Sequence, residues 1–541
     1  VSRVLVLGGY GVFGSRIATR LVAAGHEVLV AGRSADKAQR FCAGRPGFVP
    51  LALDRARIAE ELGALAPDLL VDATGPFQEM DYAVPRACIA AGVHYCDIAD
   101  GRAFVCGIAA LDADARAAGV AVVSGASSLP ALSGAVVRAL AEGMSRVRSV
   151  EMALSASNRA TAGPAVAAGI IRQAGQSIAF WQAGGWRRGF GWQHLKRARY
   201  AVPGKPPIEG RLVSLVDVPD MTLLPARLPG APSVVMRAGA ELAVENLALW
   251  LASWPIRWGL FRNSAWLISL VPAWRKLVGE VGSDCSAMKV TLVGERAGQR
   301  LEKRWTLIAT QGAGPDIPAL AVPPIVERIL SGSEPAGARD AGPLLALSDY
   351  DAAFAPMSVE YAVEASASPS LYQRVMGATF DALPAPVQRM HLLVHDGPAI
   401  GEAIVTGASN ALGRLIARIL GFPSGGTNPL RVTMDECGEG ETWTRDFGGR
   451  RFASRLSQRG NQLVERFGPL RFRFDLPGGP EGLRMVMRGW SAFGIPLPLA
   501  LAPRSEAREW AEGARFHFDV PIELPLVGRV VHYRGWLELA A

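Results

Sequence analysis

The stretch "VLVLGGYGVFGSRIATRLVAAGHEVLVAGR", residues 4–33, constrains the fold more than any other part of the chain. A short, fully apolar run rich in β-branched residues ends in glycines. The segment after them, "SRIATRLVAAG", places Ile17, Leu21 and Val22 on one helical face. A second apolar run, "EVLVAG", follows at strand length. Gly9, Gly11 and Gly14 fit G-x-G-x-x-G, and Gly8, Gly11 and Gly14 fit G-x-x-G-x-x-G. Glycines at these places allow a tight turn, let a pyrophosphate approach the backbone, and bring helix and strand together. The helix start adds free N–H groups and a partial positive charge. Strand, glycine turn, helix and strand in this order predict a dinucleotide-binding domain. Gly8, Gly9, Tyr10, Gly11, Val12, Phe13 and Gly14 are then the phosphate-side residues.

The second strand ends in Ala31-Gly32-Arg33-Ser34. An acid at this position bonds a ribose 2′-hydroxyl, whereas a guanidinium suits a 2′-phosphate. The nearest acid, Asp36, falls in the first turn of the next helix. The expected cofactor is therefore NADP(H), with Arg33 on its 2′-phosphate. Ser34 either adds a bond there or caps the helix "ADKAQRF".

Strand and helix go on alternating. "FVPLALD" reads as a third strand ending in Asp54, which is either an adenine contact or a helix cap. "PDLLVDATGPF" is a fourth strand breaking at Thr74-Gly75-Pro76, placed on the nicotinamide side. Two more strands follow, in "AVPRACIAAGVHYCDIADG" and in "AALDADARAAGVAVVSGASSLPALSG". This alternation predicts α/β architecture, a Rossmann doubly wound parallel sheet. The polar groups closing strands four to six are Thr74, Tyr95, Asp97 and Asp100, with His94 alongside. Tyr95 and Asp97 are the candidates for proton handling; the competing reading is that they pack and bond within the sheet edge.

The 541 residues exceed one ordinary core. The expected domains are 1–130, the nucleotide-binding domain; 131–357, a second α+β domain; and 371–541, a helix-plus-sheet domain. Residues 358–370 read as a linker. The net charge of +8 comes from scattered arginines without a basic run, so nucleic acid is not an expected partner. Six widely spaced cysteines without a CxxC pair read as buried thiols of a reducing compartment. The chain opens on a strand without a secretion-type segment, so a cytoplasmic location is expected, with peripheral membrane contact as an extension. His391 and His395 stand at i, i+4, but Leu392 occupies the glutamate position of HExxH, and no metal site is expected.

The first 355 or so residues resemble the saccharopine dehydrogenase-like NADP-binding oxidoreductase family. The marks are Gly8–Gly14 with Tyr10 and Phe13, "AGR" at 31–33, "GPF" at 75–77, "AGVHYCDIADG" at 91–101, "GASSLPALSG" at 125–134, and the later "WTLIATQGAGPDIPALAVPPIVERILSG". The resemblance implies NADP(H)-dependent reduction of a C=N bond in amino-acid metabolism or of a C=C bond in lipid chains.

Within the second domain, residues 241–278 are the most apolar part of the chain. Trp250, Trp254, Trp258, Trp266 and Trp274 recur at multiples of four. Three readings stand: a buried or interdomain helical hairpin, an interfacial patch on a membrane, or a lid or wall for a long apolar substrate. No cluster of basic residues announces a clamp for a polyanionic amino acid, so the expected substrate is hydrophobic or lipid-like.

From "LRVTMDE" to "VVHYRGWLEL", alternating runs separated by glycine turns predict antiparallel hairpins. This third region resembles an uncharacterised domain found fused to such reductases. It reads either as a lipid-enclosing sheet or as a structural or dimerisation domain, with a second copy of the chain as partner. Arg445, Glu465, His532, Tyr533 and Arg534 form a polar cluster or ordinary strand ion pairs. The sequence thus supports an NADP(H)-dependent oxidoreductase. The alternatives are an amino-acid-type imine reductase and a non-catalytic nucleotide- or lipid-binding protein.

Overall fold

The computed structural model describes residues 1–160, 163–182, 185–297, 299–392, 398–437 and 440–539. It divides into two compact units, the first running essentially to Ser366 and the second from Ala367 onward.

In the first unit, Arg3–Leu7 (β1), Glu27–Gly32 (β2), Phe48–Ala52 (β3), Leu69–Asp72 (β4), His94–Asp97 (β5) and Ala121–Ser124 (β6) form a parallel sheet. Its order is β6-β5-β4-β1-β2-β3, and a later strand, Gly337–Asp340, pairs with β6 to complete it. Val4, Leu5, Val6 and Leu7 are all buried, because helices cover both faces of the sheet. β1 runs between β4 and β2, so the sheet reverses direction of build at β1, where doubly wound folds leave a crevice at the carboxyl edge. Val12–Ala23 (α1) buries Gly14, Ile17, Ala18 and Leu21 against the sheet. Its outer side meets the distant segment around residue 316: Arg16 and Arg20 reach Asp316 at 3.3 and 3.2 Å.

A second, mixed sheet has seven strands with Arg146–Ala156 near its middle, parallel to Ser233–Ala240 and antiparallel to Ser286–Arg296. The expected linker at 358–370 is largely a strand, Val359–Ala367, at the edge of this sheet. The alternation in "VEYAVEA" outweighs its small-residue composition.

The second unit is a closed barrel. Antiparallel strands pair in sequence from Ala399–Thr406 onward, and Leu470–Asp475 pairs with Gly482–Ala492 to close a circle of ten. The expected antiparallel sheet is present. Its closure is set by register between distant strands, which alternation alone does not encode.

Among the described residues, no helix is long and apolar enough to cross a membrane. The segment at 241–278 breaks into Ala243–Arg257, a 3-10 turn Ala265–Leu270, and Val271–Val278. Its inner side is packed, with Asn246, Ser253 and Ile256 buried. Trp250 and Trp254 meet edge to face at 5.9 Å, and Trp254 and the outward Trp258 meet at a tilt at 5.6 Å. Its outer side is open, with Val244, Leu247, Leu251, Trp258, Leu260 and Phe261 exposed. A fully buried hairpin is therefore not what forms.

Candidate nucleotide site

The carboxyl edge of the parallel sheet carries the glycine turn. Gly11 N–H donates to the Gly8 carbonyl at 2.8 Å, closing the turn before α1. A Cβ at Gly14 would lie 2.1 Å from the Gly8 carbonyl oxygen, so only glycine permits helix and turn to approach this closely. Among the described residues, the amides of Val12, Phe13 and Gly14 have no acceptor, no side chain caps α1, and its first turn holds no acid. Three bare donors at the positive end of a twelve-residue helix make an anion cradle.

Tyr10 fixes the adjoining strand end. Its ring lies over Gly32, where a Cβ would meet it at 2.4 Å, and its hydroxyl accepts the Ser34 N–H at 2.9 Å. Ser34 Oγ accepts the Lys37 N–H at 3.3 Å, so Ser34 caps Ala35–Cys42. Arg33 stands exposed between them, and no carboxylate among the described residues pairs with it. A free guanidinium thus lies at the end of β2, next to the strand that ends in the glycine turn.

Asp54 is exposed and accepts the Ala56 N–H at 3.0 Å, capping a short turn. Behind it, Arg55 pairs with Asp72 at 3.2 Å, and Asp72 Oδ1 accepts both the N–H and the hydroxyl of Thr74, at 3.0 and 2.5 Å. This wholly buried aspartate, not singled out from the sequence, holds Thr74 beside the glycine turn; a Cβ at Gly8 would be 3.3 Å from the Thr74 methyl. Its signal was available, since an Asp two residues before a Thr at a strand end favours an Asx turn. Gly75 and Pro76 continue the same edge into Phe77, which is buried.

The proton-handling candidates divide sharply. Tyr95 is fully buried among Leu5, Leu7, Leu70 and Val122; burial, with Asp97 and Asp72 nearby, holds its phenol well above the ordinary value. Asp97 is also fully buried. Its Oδ1 accepts from Ala99 N–H at 2.9 Å, Ser124 Oγ at 3.0 Å and Gly125 N–H at 2.8 Å, tying the ends of β5 and β6 together. Burial pushes its carboxyl up to about 7 against those three bonds, and Oδ2 has no partner. His94 begins β5 at the opposite edge of the sheet, where its Nδ1 accepts the Ala121 N–H at 3.0 Å. It is a satisfied structural histidine. Asp100, three residues beyond Asp97, reaches solvent and accepts from Gln78 Nε2 at 3.0 Å.

One helix links this edge to the tryptophan segment. A Cβ at Gly163, just before Pro164–Arg172, would lie 2.8 Å from Val12, and one at Gly169 would be 3.6 Å from the Gln78 amide. At the far end, Ser264 Oγ donates to the Ile171 carbonyl, and Gln176 Nε2 donates to the Arg262 carbonyl at 3.1 Å. No group of three or more His, Cys, Asp or Glu among the described residues is arranged to hold a metal. His395 lies outside the described residues, and His391 is buried in the barrel.

Comparison with known proteins agrees with this cradle. Residues 4–123 match the saccharopine dehydrogenase NADP binding domain, and residues 383–537 match a domain of unknown function, DUF4166. No curated protein matches the chain in sequence. Among solved structures, it is similar to the L-Glu-forming saccharopine dehydrogenase of Saccharomyces cerevisiae, with 12% identity and a TM-score of 0.48 over 68% of this chain and 100% of that one. The homospermidine synthase of Legionella pneumophila, in complex with NAD, gives 12% identity and a TM-score of 0.42 over 68% and 91%. An amine dehydrogenase of Mycobacterium smegmatis gives 14% and 0.35 over 63% and 95%. By its two sequence matches, the chain joins a domain of the saccharopine dehydrogenase NADP-binding type at residues 4–123 to a DUF4166 domain at 383–537.

Proposed function

We propose that the protein is an NADP(H)-dependent oxidoreductase that reduces a C=C or C=N bond of a hydrophobic, lipid-like substrate. The observation that carries the cofactor choice is Arg33, an unpaired guanidinium at the end of β2 where an NAD site has an acid. The residues fit a dinucleotide. The three bare amides of Val12, Phe13 and Gly14 hold the pyrophosphate, Arg33 holds the 2′-phosphate, and Thr74, Gly75 and Pro76 border the nicotinamide. When bound, the cofactor supplies a hydride equivalent.

Protein groups supply the rest. Asp97 and Tyr95 have no solvent access, so they act by positioning: Asp97 fixes the β5 and β6 ends that frame the site. Asp100 is the candidate proton donor, since it reaches solvent at that edge and is held there by Gln78. A hydrophobic substrate is supported by the exposed apolar face at 243–261 and by the helix Pro164–Arg172, which borders both that segment and Val12. Exposed Arg262 and Lys276 beside those side chains favour peripheral contact with an anionic lipid surface, the source of such a substrate.

NADPH oxidation by the full chain should be measured against a panel of enoyl lipids and a panel of amino-acid imines. Turnover of the lipids alone is expected. Equal turnover of both panels removes the hydrophobic assignment, and tight NADPH binding without oxidation of either leaves a nucleotide-binding protein.

A further inference from the structure

The second unit contains a cavity that the nucleotide site does not explain. The barrel interior encloses about 390 Å³. That volume lies in the range of small-molecule sites, roughly 300 to 1,000 Å³. Eight-stranded barrels are just filled by their own side chains or hold one small ligand, and ten strands make a wider interior. The wall is predominantly aromatic and aliphatic, with Phe452, Phe467, Phe472, Phe518, Met485 and Met487 among its residues. One end is covered by the helices Leu371–Met376 and Ala385–His391. There the His391 ring stacks on Tyr372, which lines the cavity, at 3.6 Å.

The other end carries the helix Ala411–Ile419. Ile416 and Leu420 line the cavity, while Leu412 and Leu415 point to solvent. Ile419 does both: it lines the cavity and is 73% exposed, which marks the opening. By strand register, the turn bearing exposed Leu526 and the hairpin bearing exposed Phe493 and Ile495 lie at this same end. The mouth is therefore apolar.

The polar groups inside decide what kind of molecule fits. Strand alternation turns Arg445, Glu465 and Tyr533 inward, while His532 and Arg534 fall on the outer face, where His532 pairs with Asp519 at 2.5 Å. Arg445 donates to Ser454 Oγ at 3.0 Å, lies 5.5 Å over the Trp443 and Phe452 rings, and sits 3.9 Å from Glu465. Glu509, which also lines the cavity, is bound to His391 at 2.6 Å, and Glu441, inward on the same strand as Arg445, accepts from the Trp443 indole at 3.0 Å. Each charge facing the interior already has a partner. A carboxylate ligand would add an anion beside the half-buried Glu465 and the buried Glu509, with its desolvation unmatched. A neutral molecule with one hydroxyl or carbonyl escapes that cost: Arg445 can donate to it, Glu465 can accept from a hydroxyl, and its remainder is apolar.

We propose that the DUF4166 barrel is a binding site for one neutral apolar molecule carrying a single hydroxyl or carbonyl, held at the Arg445–Glu465 layer. The proposal stands on the barrel alone and does not rest on the reductase reading.

Retinol and retinoic acid, alike in shape and different in head group, test it on the full chain by energy transfer from tryptophan. Retinol should saturate at one molecule per chain and bind at least about tenfold tighter than retinoic acid. Ala507→Phe and Met487→Trp fill the cavity from two positions, and each should weaken retinol at least about tenfold while NADPH binding stays level. Two fillers keep the test decisive if one fails to fold, as judged by circular dichroism. Non-saturable binding, indifference to both fillers, or retinoic acid bound as tightly as retinol overturns the proposal.

Discussion

The nucleotide cradle and the barrel cavity are built by opposite means. The nucleotide cradle is made of backbone: seven consecutive residues, three bare amides and one neighbouring guanidinium. The barrel cavity is made of side chains drawn from strands spread over residues 399–539. A backbone site has no spare parts, so one added carbon atom can destroy it. A side-chain site is distributed, so it tolerates single deletions and is most sensitive to filling or to an unpaired charge.

The largest expected effect tests the first half of that contrast. Gly14→Val places a side chain where even a Cβ would be 2.1 Å from the Gly8 carbonyl. NADPH affinity should fall at least about a hundredfold, while retinol binding to the barrel stays level. Retention of NADPH affinity within a few-fold, by calorimetric titration, would show that the phosphates lie elsewhere. Next in size is the buried pair of the barrel. His391→Ala leaves the Glu509 carboxylate alone among aromatic rings and removes the ring stacked on Tyr372. Leaving a buried carboxylate without its hydrogen-bond partner costs about 1 to 3 kcal/mol. The urea midpoint followed by tryptophan fluorescence should drop accordingly, with NADPH binding intact; an unmoved midpoint would show that the pair contributes nothing.

Arg33→Ala removes a group rather than adding one. A charge-assisted contact to a 2′-phosphate predicts a loss of about ten- to a hundredfold in NADPH affinity, about 1.4 to 2.7 kcal/mol. NADH affinity should be unchanged, because Arg33 has nothing to bond on a bare ribose. An equal loss for both cofactors would assign Arg33 to folding or to the pyrophosphate.

The same contrast explains what the sequence revealed. The cradle was legible because its determinants are contiguous: an apolar strand, a glycine turn and an amphipathic helix occupy residues 3–23, and Arg33 follows one strand later. The hairpins of the C-terminal unit were legible from alternation, but closure depends on Leu470 meeting Ala492 and Ala399 meeting Leu539, pairings that no local pattern specifies. The inward trio Arg445, Glu465 and Tyr533 could be separated from His532 and Arg534 only once each strand's inner face was fixed. Tyr95 and Asp97 attracted notice as polar groups near a strand end. Whether such a group faces a cleft or a core depends on which helices cover it, and here Tyr95 lies under a fully packed layer.

Asp97 provides the smallest and most specific test, because its bonds mark it as a structural tie within the nucleotide-binding half. In the folded protein its carboxyl is raised to about 7 from an ordinary 3.8, since burial outweighs three donated hydrogen bonds. A carboxyl raised on folding is best tolerated neutral. Its contribution is therefore fully present below the unfolded value and is lost as pH rises toward and through about 7. Asp220, raised to about 6 by burial, drifts in the same direction, so the wild-type slope alone does not isolate Asp97. Asp97→Asn keeps an acceptor for Ala99, Ser124 and Gly125 but cannot ionise. Between about pH 5 and about pH 8 the wild-type Tm should fall more than that of the variant, closing or reversing any deficit the variant shows in acid. Parallel Tm curves would mean that Asp97 does not titrate in this interval, and that its three donors hold the carboxylate ionised despite its burial.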